Sequence, residues 1–447
     1  MTQLIASSKL KVVVGIGTTG LSVARHLSKM GERFVMFDTR QKPPCLDKLK
    51  AELPEVSVVL GEFLVSSFDG ADEIILSPGL SRENPAIQAA LLSGVPVISD
   101  IELFARTAHA RIVAITGSNG KSTVTTLLGE MCAAAGVPVG VGGNLGMPAL
   151  ALLDEDKELY VLELSSFQLE SVSGLNAEVA TVLNMSPDHM DRYRSLLDYH
   201  QAKHRIFNGA RQIVVNREDK LSVPLVSDKV KQWSFGLDRP DFGGFGLLDQ
   251  DGEPWLSYQF DRLMPESELG IKGRHNTRNA LAALALGSAA GLPMAEMLKV
   301  LREFKGLPHR CQAVKSLAGV TYINDSKATN VGATLAAISG LSGEQNLILI
   351  AGGQGKGQDF TPFAKALMGS VKQLVLLGED APAIGDAVGD RVPTIYATNL
   401  QSAVETAQKI AEAGDVVLLS PACASFDMFC SFEDRGGQFM SVVEGLR

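Results

Sequence analysis

At 447 residues the chain is longer than one hydrophobic core organises, and its length points to about three domains. With 45% apolar and 20% charged residues it has a globular composition, and a net charge of −9 without a polybasic run argues against nucleic acid or an anionic membrane as partner. No apolar run reaches the roughly 18 residues that span a bilayer. The five cysteines form no Cys-x-x-Cys pair and read as reduced thiols of a cytoplasmic protein.

Short apolar runs alternate with helical patterns along most of the chain, which predicts an α/β protein with largely parallel sheets. Three blocks are expected, 1–99, 100–306 and 307–447. Met1–Lys11 leads into the first strand without a charged, then apolar, leader segment. No large apolar stripe lacks a core role, so a monomer is expected.

In the first block the strand Lys11–Val14 runs into Gly15-Ile16-Gly17-Thr18-Thr19-Gly20 and then a helical pattern. Asp38 ends the next strand, where a ribose-binding acid belongs. This spacing fits NAD or FAD, and equally any ligand with a diphosphate and a ribose, such as a UDP-sugar. On the latter reading the loop N–H groups take the diphosphate, and Asp38 and Thr39 meet the ribose or base. Ser77-Pro78-Gly79 follows Glu73–Leu76, at a strand end where open α/β sheets bind ligands. A second phosphate site downstream, and the absence of a visible hydride-transfer dyad, argue against an oxidoreductase.

The second block holds that site. Strand Ile112–Ile115 leads into Thr116-Gly117-Ser118-Asn119-Gly120-Lys121-Ser122-Thr123 and a helix-like stretch from Val124 to Ala135. Backbone N–H groups and a positive helix terminus would surround a phosphate, with Lys121 on the outer phosphates and Ser122 facing Mg²⁺. The usual pattern places four residues between its glycines, whereas only Ser118 and Asn119 stand here. Glu163, at the end of strand Leu159–Leu164, would sit near the Ser122 hydroxyl as a hard oxygen ligand. After strand Val179–Leu183, the loop Asn184–Arg192 carries Asp188, His189 and Asp191, a set suited to a second metal and to phosphate. In the next helix His200 and His204 have half a zinc spacing but no partner motif, and Lys203 reads as an ordinary solvated lysine. From Trp233 to Gly273 strand-like pieces replace helical periodicity, and an alanine-rich helix, Asn276–Ala290, follows.

Gly306-Leu307-Pro308-His309-Arg310 bridges the second and third blocks; Pro308 stiffens the passage, a hinge is expected there and Arg310 could reach a phosphoryl group. Strands at Val320–Ile323, Leu347–Ile350 and Val416–Leu419 end in Asn324–Asn330, Gly352–Gly357 and Ser420–Asp427. Such polar turns at several strand ends make an anion-binding mouth.

The short glycine spacing of Thr116–Thr123 resembles that of the Mur ligases and folylpolyglutamate synthetases. Asn184–Arg192, Leu307–Arg310, Asn324–Asn330 and Ser420–Ser425 extend the resemblance to the Mur ligases over essentially the whole chain. The Asn-Asp-Ser-Lys-Ala-Thr-Asn run favours the D-glutamate-adding branch over the L-alanine-adding one, and the first block opposes the folate version. The resemblance implies a Rossmann-like N-terminal domain, a central P-loop-type ATPase domain and a Rossmann-like C-terminal domain. It implies ATP-dependent amide formation between UDP-N-acetylmuramoyl-L-alanine and D-glutamate through an acyl phosphate, with ATP and two Mg²⁺ ions.

By the same resemblance Gly117–Thr123, with Lys121 among them, hold ATP together with Asn276, Asn279, Arg310 and Asp325. Ser122, Glu163, His189 and Lys203, the last as a carbamate, hold the metal. Lys121, Glu163, His189, Lys203 and Arg310 form the implied catalytic set. Thr18, Thr19, Asp38, Thr39, Ser77, Gly79, Asn144, Ser165 and His189 would hold the UDP substrate. Asp188, Lys327, Thr329, Lys356, Ser425 and Phe432 would hold D-glutamate. One departure is Gly355, where many members carry an aspartate before the lysine equivalent to Lys356.

Overall fold

Apolar strands flanked by amphipathic helices can bury both faces only as the middle layer of an α/β sandwich. The computed structural model, which describes residues 9–341 and 345–447, builds three such layers. The reading of residues 1–8 lies outside the described residues.

The first sheet joins β1 (Lys11–Val14), β2 (Phe34–Asp38), β3 (Val58–Leu60), β4 (Glu73–Leu76) and β5 (Val97–Ile98), all parallel, in the order β3-β2-β1-β4-β5. The order reverses between β1 and β4, so the Gly15–Gly20 loop opens onto the crevice at their carboxyl ends. Close packing accounts for two of its three glycines. A Cβ at Gly15, whose φ is +107°, would stand 2.6 Å from Ser77 Oγ, and one at Gly20 would overlap the Gly15 carbonyl.

The central sheet joins β6 (Arg111–Thr116), β7 (Val139–Gly143), β8 (Leu159–Glu163), β9 (Val179–Val182), β10 (Gln212–Asn216), β11 (Lys231–Phe235), β12 (Gly244–Gln250), β13 (Glu253–Tyr258) and β14 (Asp261–Pro265). Its order is β14-β13-β12-β11-β10-β9-β6-β8-β7, with every pairing parallel except β12–β13 and β13–β14, which are antiparallel. With β9 on one side of β6 and β8 on the other, the loop after β6 sits at a switch point. The non-helical stretch from Trp233 onward thus becomes the edge of this sheet. Strand β7, Val-Gly-Val-Gly-Gly, escapes a propensity reading because its glycines exist for space: a Cβ at Gly140 would meet the Tyr160 ring at 2.8 Å.

The third sheet joins β15 (Gln312–Leu317), β16 (Val320–Asn324), β17 (Leu347–Ala351), β18 (Val371–Leu376), β19 (Thr394–Tyr396) and β20 (Val416–Leu419) in the order β15-β16-β20-β17-β18-β19. All but β15 are parallel, and β20 lies between β16 and β17. Three polar turns therefore emerge side by side.

One apolar cluster runs through both of the first two sheets, joining Val13, Ile16 and Leu27 to Leu150, Tyr160 and Leu164. The clusters of the third sheet stay within residues 311–446. None of the described helices is long and apolar enough to cross a membrane.

Candidate active site

The phosphate loop is built by two glycines that no other residue replaces without strain. Gly117 (φ +156°) turns the chain away from β6 against Leu183 and Asn184. Gly120 (φ +83°) turns it into the helix Lys121–Ala134 and leaves no room for a Cβ beside Asn279 Oδ1. The helix thus begins three residues before its apolar pattern. Asn184 fixes the loop by a reciprocal pair: its Oδ1 accepts from Asn119 N–H at 2.8 Å and its Nδ2 donates to Asn119 O at 2.9 Å. Ser118 Oγ donates to Ser186 O and accepts from Ser186 N–H, each at 2.9 Å.

Two lysines converge on this loop. Lys121 Nζ donates to Gly117 O at 2.8 Å and to Ser118 O at 2.9 Å. Burial pulls its pKa down, against the attraction of Glu163 and Asp188. Lys203 is no solvated lysine: it is 2% exposed and donates to Gly117 O at 2.8 Å and Thr116 Oγ1 at 3.2 Å. Burial, reinforced by Lys121, holds its amine well below the usual lysine range. Its neighbours His200 and His204 stack on each other at 3.7 Å, and among the described residues no cluster of three His, Cys, Asp or Glu side chains has metal-binding geometry.

Glu163 is buried; Oε1 accepts from Asn144 Nδ2 at 2.8 Å, and Oε2 has no hydrogen-bond partner among the described residues. A buried carboxylate oxygen left without a partner is costly, and a cation would satisfy it. The chemistry of this donor suits Mg²⁺. Ser122 Oγ, the expected second ligand, accepts from Arg310 Nη2 at 2.7 Å. His189, at φ +59°, packs edge-on against Phe167 with ring centroids 4.7 Å apart. Burial takes its pKa to about 4, helped by Lys356, Lys121 and Lys203 and opposed by Asp188, so its imidazole is neutral at neutral pH.

Two cavities meet over the loop and share Asn119, Gly120, Arg310 and Lys327. One, about 410 Å³, reaches Asn276, Asn279, Asp325 and the alanine face of helix Val331–Leu341. Asp325 is buried there, pushed up to about 6 by desolvation, with its oxygens accepting from Cys311 N–H and Ser420 Oγ. The other, about 470 Å³, brings together Ser122, Asn144, Glu163, Ser165, Asp188, His189, Lys203, Thr329, Lys356, Ser425 and Phe432. Lys327 Nζ lies 3.7 Å from the centre of the Phe432 ring, and burial, with Arg310 nearby, lowers its pKa to about 8. Lys356 pairs with Asp188 at 3.3 Å. Gly355 has a local reason: its N–H donates to Asp380 Oδ2 at 2.6 Å, and a Cβ there would press on Phe360 at 2.8 Å.

The first-domain candidates stand apart from both cavities, at the carboxyl end of the first sheet. Thr18, Thr39 and Gly79 are exposed, while Thr19 and Ser77 are half-buried. Asp38 is 1% exposed and already engaged, by Ile16 N–H at 2.7 Å and by Arg40.

Several residues at the site went unassigned from sequence. Asn330 donates across the domain boundary to Asn119 Oδ1 at 3.2 Å and to Asp188 Oδ2 at 3.0 Å. Asn184 and Asn330 stood inside polar runs already singled out. Phe167, Tyr199 and His275 carried no sequence signal, because only the fold brings them to these cavities.

Residues 9–99, 115–287 and 309–423 match family models described as Mur ligase MurD-like, N-terminal domain; Mur ligase middle domain; and Mur ligase, glutamate ligase domain. Proteins named UDP-N-acetylmuramoylalanine–D-glutamate ligase are similar over 99% of the chain and 100% of their own length, at 57% identity in Pseudomonas fluorescens Pf-5, 56% in Pseudomonas aeruginosa PAO1 and 53% in Marinobacter nauticus. The fold is similar to that of a pseudomurein peptide ligase type C from Methanothermus fervidus (TM-score 0.64, 19% identity, 98% of this chain and 100% of that one). It is also similar to a UDP-N-acetylmuramate-alanine ligase from Thermotoga maritima (TM-score 0.61, 19% identity, 98% and 99%).

Proposed function

The chain belongs to the Mur ligase family, and from that premise we propose how its residues divide the work of one reaction. It is an ATP-dependent ligase of peptidoglycan precursor synthesis that joins D-glutamate to UDP-N-acetylmuramoyl-L-alanine. The observation that carries the division of labour is the meeting of two cavities over the phosphate loop, one sized for a nucleotide and one lined by cations and carboxylates.

A carboxylate does not condense with an amine, because its oxygen is a poor leaving group. The substrate carboxylate oxygen attacks the γ-phosphorus of ATP and the bond to the β-phosphate oxygen breaks. The amine of D-glutamate then adds to the acyl phosphate, loses a proton and expels phosphate. Positioning and charge neutralisation do the rest. Gly117–Thr123 cradle the phosphates, Asn276 and Asn279 face the adenine side, and Asp325 meets the ribose. Arg310 moves from Ser122 to the transferring phosphoryl group. Lys327, Lys356, Thr329, Ser425 and Phe432, beside Asp188, clamp the D-glutamate carboxylates.

Ser122, Glu163, His189 and Lys203 are the residues for two Mg²⁺ ions, which when bound neutralise phosphate charge. The lowered pKa of Lys203 supports its part in this set, since a neutral amine adds CO₂ and releases a proton to leave a carbamate, an anionic oxygen ligand. Asn144 and Ser165 meet the muramoyl-alanyl portion. Thr18, Thr19, Asp38, Thr39, Ser77 and Gly79 hold uridine diphosphate, with Asp38 acting while bound to Arg40. The domains divide at 99 and 306, and the protein works as a cytoplasmic monomer.

Phosphate release tests this reading. With ATP, Mg²⁺ and UDP-N-acetylmuramoyl-L-alanine present, D-glutamate should stimulate release, and L-glutamate, L-alanine or no amino acid should not. Release indifferent to D-glutamate would refute it.

A further inference from the structure

Arg192 lies three residues beyond His189, and its N–H donates to His189 O at 3.0 Å. Its guanidinium, however, reaches into the N-terminal domain. Nη1 donates to the Pro78 carbonyl at 2.9 Å, and Nη2 donates to the Leu80 carbonyl at 3.1 Å and to Glu170 Oε2 at 2.8 Å. The plane covers the Phe167 ring at 4.1 Å, and it is that ring which packs against His189. Glu170 is itself held, since its Oε1 accepts from Tyr193 OH at 2.7 Å. The side chain is only 16% exposed. A planar fork of five donors can serve two carbonyls, a carboxylate and an aromatic face together; a lysine ammonium cannot.

The Pro78 carbonyl and the Gly79 N–H belong to one trans peptide and point in opposite directions. Holding the carbonyl towards Arg192 therefore aims the Gly79 N–H away from it. We propose that Arg192 is a positioning residue for the UDP substrate: it ties the Ser77–Leu80 turn to the His189 loop, so that the diphosphate end and the reacting carboxylate end are held in one register. This rests on the placement of uridine diphosphate at Ser77 and Gly79. The dependence on a bridge follows from the layout, in which the first-domain candidates lie outside the cavities around the phosphate loop.

The test compares Arg192→Lys and Glu170→Gln with the wild-type enzyme, measuring KM for each substrate and the Kd of UDP alone by calorimetry. Arg192→Lys should raise the KM for UDP-N-acetylmuramoyl-L-alanine roughly 10- to 100-fold, the range for losing hydrogen bonds from a charged donor. The KM values for ATP and D-glutamate should stay within about twofold, because Arg192 touches neither seat. Glu170→Gln, which leaves the fork in place but removes its charged partner, should move the same KM by a smaller factor. An unchanged KM for the UDP substrate in both variants overturns the proposal, as does a parallel rise for all three substrates. Wild-type enzyme that fails to bind UDP overturns the placement itself; wild-type and variant binding UDP equally well overturns only the role of Arg192.

Discussion

Two glycine loops, Gly15–Gly20 after β1 and Gly117–Gly120 after β6, solve the same steric problem and arrive at different chemistry. Each follows a parallel strand, turns at a glycine with positive φ and opens a helix at a switch point. Behind the first, among the described residues, there is no buried lysine, and the acid beside it, Asp38, is already matched by Arg40 and a backbone N–H. Behind the second stand Lys121, Lys203 and a carboxylate oxygen with no partner. Glycine spacing says that a phosphate can come close; the charges beneath decide whether it is merely held or made to react.

The comparison breaks most sharply at Lys203. Lys203→Ala should lower kcat by roughly 10²–10³-fold or more, the scale of losing a preorganised electrostatic group, and short-chain carboxylic acids should restore part of it. Turnover that survives the substitution would make the second loop no more than a cradle. Next come the glycines themselves, where strain of about 1–3 kcal/mol is expected for a side chain at such a backbone. Gly120→Ala should raise the KM for ATP roughly tenfold or more and spare the UDP substrate; Gly15→Ala should do the reverse. Matching defects in both substrates would erase the distinction between the loops.

Lys356→Ala removes a charge-assisted contact of about 1.5–3 kcal/mol, so the KM for D-glutamate should rise 10- to 100-fold with a smaller effect on ATP. Equal losses for the two would take Lys356 out of the clamp. The smallest effect belongs to pH. Lys327, with its pKa lowered to about 8, is charged below that value and loses its charge as pH rises through it. Inhibition by glutarate, a dicarboxylate with no amine of its own to titrate, should weaken severalfold between pH 7 and 9. A flat profile would remove Lys327 from carboxylate binding.

Much of this was legible before folding. Strand ends carry the polar runs, because apolar periodicity fixes where a parallel strand stops and the crevice begins. Asp188, Lys327, Lys356 and Ser425 come from separate loops, yet all reach one cavity. Lys203 was not legible from its own helix, whose pattern matches a solvated face; its seat under Gly117 is made by the end of β6, 86 residues away. Nor could sequence reveal that Arg310 rests on Ser122, or that Asn330 spans the domain boundary, since both are pairings made only by docking. Strand β7 went unread for the opposite reason: its glycines mark crowding, which propensity reads as a loop.

The apolar cluster that runs through the first two sheets has a consequence for cooperativity. Separating those sheets would expose a continuous hydrophobic interior, so they should lose hydrogen-exchange protection together, as a single foldon. The third sheet, whose apolar clusters stay within its own residues, meets the phosphate-loop side through Arg310, Asn330 and Lys356. Polar contacts of this kind exchange readily for water or substrate oxygens. Motion that admits and releases ligands is therefore cheapest at that seam, and the protein's slowest-exchanging amides should lie in the first two sheets.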